Sequence, residues 1–336
     1  MKAIILRDFG TTENFELQEI PTPVAASDKV LVRINATAFN PIDYQMRRGD
    51  NESKLLKSPV LGREFSGIVV ETGDGVPDFK IGDKVAAYVG SMGSNGTYAE
   101  YISLPYQLLA KIPDGVSFQI AAAVPAVGLT ALQCVNRLPA DKASAIFIAG
   151  GAGGVGAMLI KLLLAGGFTN IITTAGSNES RESLLALGLA TDQIFDYRDA
   201  DLEQQLKAAN GGKGYDIAVD LVGGGMSDLS AALLAVYGTY VNVTNLATAG
   251  ALGLLFNKAA AIINIANYAV SLQGNTELLA IYGEQLTTLF VKLQHGIIEP
   301  PKILNVGNLG VGTVSEAHQL LENNRTMGRK VVMIIP

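Results

Sequence analysis

Ile146-Phe147-Ile148-Ala149 runs directly into Gly150-Gly151-Ala152-Gly153-Gly154-Val155-Gly156, and an apolar run of helical length follows. No other segment limits the possible folds so tightly. Four consecutive apolar residues before a turn read as a strand buried on both faces. The register Gly151-x-Gly153-x-x-Gly156 puts glycine where a tight turn, a close backbone approach and close helix packing each need a missing side chain. Amides at the N-terminus of the following helix then face an anion. In this strand, turn and helix context the run reads as a dinucleotide-binding loop. No Gly-Lys-Ser/Thr ends it, which argues against a nucleotide-hydrolysing loop.

The surrounding chain fits a parallel sheet. From about residue 117, helices over 121–136, 155–164, 181–187 and 202–209 alternate with strands over 145–149, 170–174, 193–196, 217–221 and 239–243. Such alternation predicts βαβ crossovers. Before it come short strands over 2–6, 29–36, 66–72, 84–88 and 98–104, divided by turn signals such as Gly82-Asp83 and Pro113-Asp114-Gly115. These predict a small antiparallel barrel. A helix over 285–293 and a closing strand over 329–335 follow the sheet. The expected fold is therefore α/β: a barrel domain over 1–122, a doubly wound parallel-sheet domain over 123–270, and a return to the first domain over 271–336.

Composition removes several kinds of chemistry. Cys134 is the one cysteine, and His295 and His318 are the two histidines. An intrachain disulfide and zinc sites of the Cys₄, Cys₂His₂ or His₃ type are excluded. Neither histidine lies near a Gly-x-Ser-x-Gly elbow. A net charge of −6 argues against a nucleic-acid partner. The N-terminal residues lack a secretory signal pattern, and the apolar stretches over 145–160 and 246–272 are broken by glycine or by polar side chains. A soluble, cytoplasmic protein without membrane contact is expected.

The strand after the glycine loop ends in Thr174-Ala175-Gly176-Ser177 and has no acidic residue at its tip, where an NAD site usually has one. Ser177 and Arg181 are candidates to hold a 2′-phosphate. Tyr197 and Arg198 are placed to close the adenosine side. Glu179 is the competing feature, since its carboxylate suits a ribose hydroxyl, and Arg181 also reads as a solvated charge at a helix start. NADPH is expected over NADH.

Further stations occur in order: Phe39-Asn40-Pro41-Ile42-Asp43 with Arg48-Gly49, Gly62-Arg63-Glu64-Phe65-Ser66-Gly67, Gly96-Thr97-Tyr98-Ala99-Glu100-Tyr101, Gly128-Leu129-Thr130-Ala131, Asp220-Leu221-Val222-Gly223-Gly224 and Met327-Gly328-Arg329-Lys330. With these the chain resembles the medium-chain dehydrogenase/reductase superfamily, and within it the zinc-free quinone oxidoreductase-like branch that includes zeta-crystallin-like proteins. The resemblance implies a GroES-like β-barrel domain, a Rossmann domain, and a cofactor in the cleft between them. It implies cofactor contacts from Asn40, Thr130, the loop Gly150, Gly151, Ala152, Gly153, Gly154, Val155 and Gly156, Thr174, Ser177, Arg181, Tyr197 and Val222. Zinc-dependent members carry histidine in a Gly-His-Glu motif; here Arg63 stands in that place, and no cysteine lies in the barrel half. Gly62-Arg63-Glu64 otherwise reads as a barrel strand with a buried ion pair, which is the role expected for Glu64.

The implied chemistry is hydride transfer to an electrophilic carbonyl compound or quinone, with donors holding its oxygen. Asn40, Tyr44, Arg48 and Tyr88 are the catalytic candidates, and Asp43 is expected to fix its loop. For Tyr44 and Tyr88 the alternative is core packing. Thioester reductases of the superfamily carry a tyrosine soon after the Asn40 station, whereas Gly49-Asp50-Asn51-Glu52 has none. An enoyl-thioester reductase and a non-catalytic NADPH-binding sensor or structural protein remain the alternatives. A homodimer through apolar 247–256 and 259–265 is expected, with a buried helix as the other reading of that stretch.

Overall fold

The computed structural model describes residues 1–50, 53–54, 56–273 and 276–336. In chain order the strands are β1 Lys2–Leu6, β2 Phe15–Glu19, β3 Lys29–Ala38, β4 Glu64–Thr72, β5 Lys84–Tyr88, β6 Tyr101–Pro105, β7 Leu109–Lys111, β8 Ile146–Ala149, β9 Ile171–Ala175, β10 Ile194–Asp196, β11 Tyr215–Asp220, β12 Leu234–Asn242, β13 Ala261–Asn264, β14 Ile303–Asn308 and β15 Lys330–Ile334. The helices are α1 Pro41–Arg48, α2 Phe118–Ala123, α3 Pro125–Arg137, α4 Gly154–Ala165, α5 Asn178–Ala186, α6 Leu202–Ala209, α7 Gly225–Leu233, α8 Ala249–Asn257, α9 Ala269–Gln273, α10 Ala280–Gln294 and α11 Val311–Glu322.

Thr130–Ala266 form one compact unit. Its sheet has the order β10-β9-β8-β11-β12-β13 and every pair is parallel. This is a doubly wound Rossmann sheet, and its strand order reverses between β8 and β11. All residues of β8 and β9 are buried, which accounts for their unbroken apolar or Thr character. Phe147, Tyr215 and Tyr240 fill one face of the sheet with Leu206. The Tyr215 hydroxyl donates to Leu206 O at 2.7 Å, so the aromatic core carries no unmet donor there.

The other unit joins Met1–Leu129 to Asn267–Pro336. It is the GroES-like domain. Its sheet runs β14-β15-β3-β4-β5-β7, and β6 also pairs with β3. The ten-residue β3 is central because it pairs with β4, β6 and β15. Small residues let α2 lie close on it: Ala122 and Ala123 pack with Ala36, Ala38 and Val332.

Several boundaries differ from the sequence expectation. The single helix over 121–136 is two, because Val124 closes α2 and Pro125, which has no N–H to donate backwards, opens α3. The division between units falls inside α3 at 129/130 and again at 266/267, where the expectation was 122/123 and 270/271. No change of composition marks a boundary within a helix. Residues 98–100 are not part of β6; they meet β1 through the Ala3–Ala99 bridge. The unanticipated α1 had a legible start, since Asn40-Pro41 with Asp43 is a cap, a first-turn proline and an N3 acid. Among the described residues no helix is long and apolar enough to cross a membrane.

Gly283 shows how closely α10 sits on the barrel: a Cβ there would lie 2.4 Å from Gln107 O and 2.8 Å from Leu109 O. An exposed helix gains about 0.5–1 kcal/mol when glycine becomes alanine. Here the sign reverses, and Gly283→Ala is expected to destabilise by about 1–3 kcal/mol, read as a lower urea midpoint with unchanged slope.

Candidate active site

In the Rossmann unit the loop after β8 is built to be approached. Gly150 has φ +84°, and a Cβ on it would lie 2.8 Å from Val222 Cγ2. Gly151 is pressed on β9: its N–H donates to Thr173 Oγ1 at 3.1 Å, and a Cβ would reach that oxygen at 2.1 Å. A Cβ on Gly156 would stand 2.4 Å from Gly150 O. The three glycines thus answer separate contacts. Gly153 is exposed, caps α4 and has no side chain to occupy the first-turn amides. These free amides and the missing Cβ atoms fit a dinucleotide pyrophosphate.

The neighbouring loop is braced by Asp220. Its Oδ1 accepts from Val222 N at 2.9 Å and Gly223 N at 2.8 Å, and its Oδ2 accepts from Tyr240 Oη at 2.6 Å. Val222 is left exposed beside Gly150. Thr174 Oγ1 lies 3.4 Å from Gly150 N, and Thr130 is half-buried in α3.

The adenosine end departs from expectation at Arg181. Its guanidinium donates to Ile194 O at 2.8 Å and to Thr191 O at 3.0 Å, so it ties down the turn before β10. Ser177 caps α5, with its Oγ accepting from Ser180 N at 3.2 Å. Hydrogen bonds from its own N–H and the Ser177 hydroxyl hold the Glu179 carboxyl below its usual range. Arg198 pairs with Asp196. Tyr197 is exposed with its ring over Gly176, where a Cβ would come within 2.2 Å of it.

In the GroES-like unit a buried polar cluster replaces the arrangement expected of Asn40. Lys330 Nζ meets Glu64 Oε1 at 2.6 Å, Asn40 Oδ1 at 2.8 Å and Phe39 O at 3.1 Å. Asn40 Nδ2 donates to the same Glu64 oxygen at 2.8 Å, and Ala126 N donates to Glu64 Oε2 at 2.7 Å. Both ends of the Asn40 amide are therefore engaged inside the protein. Glu64 does form a buried ion pair, but its partner is Lys330 and not the adjacent Arg63. Asp43 fixes the start of α1 by accepting from Asn40 N at 2.7 Å.

Arg63 lines a small cavity of about 20 Å³, with Met46, Lys57, Leu61, Gly90 and Asn95 also in its lining. Its Nε donates to Tyr88 Oη at 3.1 Å, and its guanidinium lies 5.6 Å from the Tyr88 ring centre. Of the four catalytic candidates, Tyr88 is the one that these contacts join to a cavity residue. Arg48 pairs with Glu322 at 2.5 Å and lies over the Tyr44 ring, forming a separate cluster near the domain surface. Glu322 and Lys330 were not among the candidates, and no spacing signals them because they are nearly 300 residues away in sequence. Among the described residues no three His, Cys, Asp or Glu side chains gather as a metal site. Asn51 and Glu52, in the segment lacking a tyrosine, lie outside the described residues.

Burial divides the titrating groups. Desolvation pushes the Asp43 carboxyl up from 3.8 to about 7, opposed by the Asn40 N–H and the Arg63 charge. Desolvation, aided by Arg47, holds His318 down from 6.5 to about 3. Folded Asp43 keeps a proton that the unfolded chain has lost, so its contribution weakens as pH rises from about 4 to 7. Folded His318 stays neutral where the unfolded chain is charged, so its contribution weakens as pH falls from about 6.5 to 3. The two slopes oppose each other between about pH 4 and 6.5. Relative to wild type, Asp43→Asn is expected to gain stability with rising pH over this window, and His318→Gln to lose it, each by up to about 1.4 kcal/mol per pH unit. Urea unfolding of the three proteins across that range checks this; parallel curves would contradict it.

Residues 26–114 match the alcohol dehydrogenase GroES-like domain family, and residues 154–278 match the zinc-binding dehydrogenase family. Trans-enoyl reductase ccsC of Aspergillus clavatus is 36% identical over 208 residues, covering 56% of this chain and 54% of that protein. The chain therefore spans about half the length of that relative, and only 12% or 13% of reducing polyketide synthases that it also matches. A chloroplastic NADPH-dependent alkenal/one oxidoreductase of Arabidopsis thaliana is 28% identical over 348 residues, covering 100% of this chain and 80% of that one. The structure of Escherichia coli quinone oxidoreductase complexed with NADPH superposes with a TM-score of 0.86 at 26% identity, covering 99% of this chain and 100% of that one. Two domain matches, a doubly wound sheet with a glycine loop, and a GroES-like unit agree: the chain belongs to the medium-chain dehydrogenase/reductase superfamily.

Proposed function

We propose that this protein belongs to the zinc-free quinone oxidoreductase-like branch and reduces quinones or other α,β-unsaturated carbonyl compounds with NADPH, without a metal ion. The observation that carries the reading is the donor set at the place where zinc-dependent members carry their Gly-His-Glu histidine: Arg63 stands there, and among the described residues no three His, Cys, Asp or Glu side chains gather. Oxidising a simple alcohol needs a base or a Lewis acid to take up its proton. A quinone or enone is already electrophilic and needs only a group that tolerates negative charge on oxygen. The small-molecule relatives named above act on such compounds. No nucleic-acid or membrane partner and a cytoplasmic location belong to the same proposal.

The cofactor would be held by the Gly150–Gly156 loop, Thr130, Thr174, Ser177, Tyr197 and Val222. Bound there, it supplies hydride. Arg181 is not in this set, because its guanidinium secures the Thr191 and Ile194 carbonyls. NADPH is favoured by the lack of an acid at the tip of β9, and Glu179 is the residue that opposes it. Asn40 acts by positioning, since its amide joins Glu64 to Lys330. An enoyl thioester is a second acceptor class, favoured by the likeness to ccsC.

Steady-state assays are expected to show NADPH oxidation with 1,4-quinones or enones, undiminished by EDTA and at least about tenfold better in kcat/KM than with NADH. Activity confined to simple alcohols and dependent on added zinc would refute the reading. A higher kcat/KM for enoyl thioesters than for free enones would select the second class.

We further propose a homodimer through the edge of the Rossmann sheet. Strand β13 is an edge strand with Ile262 45% exposed, and Phe256 and Tyr237 are 86% and 80% exposed near it. An exposed apolar edge invites pairing. Light scattering is expected to give twice the chain mass, falling to one chain in Ile262→Lys; a wild-type monomer would refute it.

A further inference from the structure

Asp43 on α1, Tyr98 ahead of β6 and His318 on α11 are each fully buried, and none of them has a part in the hydride transfer proposed above. Asp43 Oδ1 and His318 Nδ1 have no hydrogen-bond partner among the described residues, whereas buried polar atoms are ordinarily paired. The other polar atoms converge on one hydroxyl. Tyr98 Oη lies 3.2 Å from His318 Nε2, and the imidazole tautomer decides which of the two donates. Burial first, then the Asp43 carboxyl as a charge and as a hydrogen-bond acceptor, push the Tyr98 hydroxyl well above its usual range. Asp43 Oδ2 is taken by the Asn40 N–H at 2.7 Å, which leaves Oδ1 for Tyr98. Phe15 and Phe39 stand edge-on to the His318 ring, 5.0 and 6.0 Å between centres, and keep it from turning to another partner.

A phenol has one hydrogen to give, and here it has two claimants. We propose that Asp43, Tyr98 and His318 form a buried hydrogen-bond chain in which the charge state of Asp43 sets which imidazole nitrogen of His318 carries the proton. With Asp43 neutral, its O–H donates to Tyr98 Oη, the Tyr98 hydrogen goes to Nε2, and the imidazole proton sits on Nδ1. With Asp43 ionised, the Tyr98 hydrogen turns to Oδ1, and Nε2 carries the imidazole proton and donates it to Oη. One proton passes from Asp43 to solvent; the imidazole loses one at Nδ1, gains one at Nε2 and stays neutral. Arg63 and Lys330 are the charges that draw Asp43 toward ionisation, and Glu64 opposes them. Arg47 faces His318 from α1 and is itself paired with Glu322 of α11 at 2.6 Å. Burial brings the Asp43 carboxyl to about 7 and the imidazole to about 3, so the carboxyl titrates near neutrality while the ring does not. Ionisation also makes the Asn40–Asp43 bond charge-assisted, so the start of α1 tightens as the contact to α11 reverses.

The chain has two histidines, and His295 is exposed, so His295→Gln leaves a single ring to observe. That protein, labelled with ¹⁵N in the imidazole and free of cofactor and acceptor, is followed by NMR from about pH 5 to 9. Nδ1 is expected to give the protonated, pyrrole-like signal at the low end and the pyridine-like signal at the high end. Nε2 does the reverse, with a midpoint near 7 and no imidazolium. Asp43→Asn and Tyr98→Phe, each added to His295→Gln, are expected to hold one tautomer across the range. If circular dichroism shows one of these variants unfolded, the other serves, and the titration of the parent decides by itself if both are. A parent ring that keeps one tautomer throughout, or becomes imidazolium within the range, would overturn the proposal. So would a tautomer change that persists in folded Tyr98→Phe. The measurement involves no turnover, so its outcome is separate from that of the enone and quinone reading.

Discussion

The Glu64–Lys330 pair organises the GroES-like unit. A carboxylate that is fully buried and an ammonium nearly so meet at 2.6 Å, and neither could stay charged there alone. Their remaining valences reach outward in three directions: to Asn40 at the start of α1, to Phe39 O, and to the first-turn amide of Ala126 in α3. One desolvated contact thus joins β4, β15 and the starts of two helices. Removing either partner strands a buried charge, a loss of about 3–5 kcal/mol by comparison with other buried pairs. It also fixes Asn40, and through the Asn40 N–H it fixes Asp43. The geometry around Arg63 depends on this frame, since Met46 lies on α1 and Arg63 immediately precedes Glu64.

Polar satisfaction explains the division of labour among neighbouring charges. Glu64 is saturated by Lys330, Asn40 and the Ala126 amide. Burial raises the Asp43 carboxyl toward neutrality, and the Asn40 N–H and the Arg63 charge oppose that rise. Cys134 is buried with its thiol pushed up to about 12, so the lone cysteine is an inert packing residue.

What the sequence made legible follows from how local each signal is. The glycine loop, the buried strand before it and the parallel alternation are set by residues a few positions apart; the structure has them with most ends shifted by a residue or two, while α5 starts three residues and β12 five residues earlier than expected. The family followed from motifs of the same short range. Arg181 shows the limit: its position at a helix start was readable, but its rotamer is set by carbonyls at 191 and 194 that no spacing rule brings to it. Glu64 was read as an ion-pair residue, yet its partner lies 266 positions away, beyond any local pattern. Arg48 was taken toward the site, and the opposing Glu322 draws it elsewhere for the same reason. Arg63 itself was visible only as a departure from a motif, and its hydrogen bond to Tyr88, 25 positions away, is not signalled by any local spacing.

The account stands on conjugate reduction, with hydride going to carbon remote from oxygen while oxygen is held as an anion. Reduction of 2-cyclohexenone with NADPH deuterated at the transferring position, followed by NMR of the product, locates the hydride directly. Deuterium at the β-carbon of a saturated ketone is the result expected. Deuterium on the carbonyl carbon of an allylic alcohol would contradict the account.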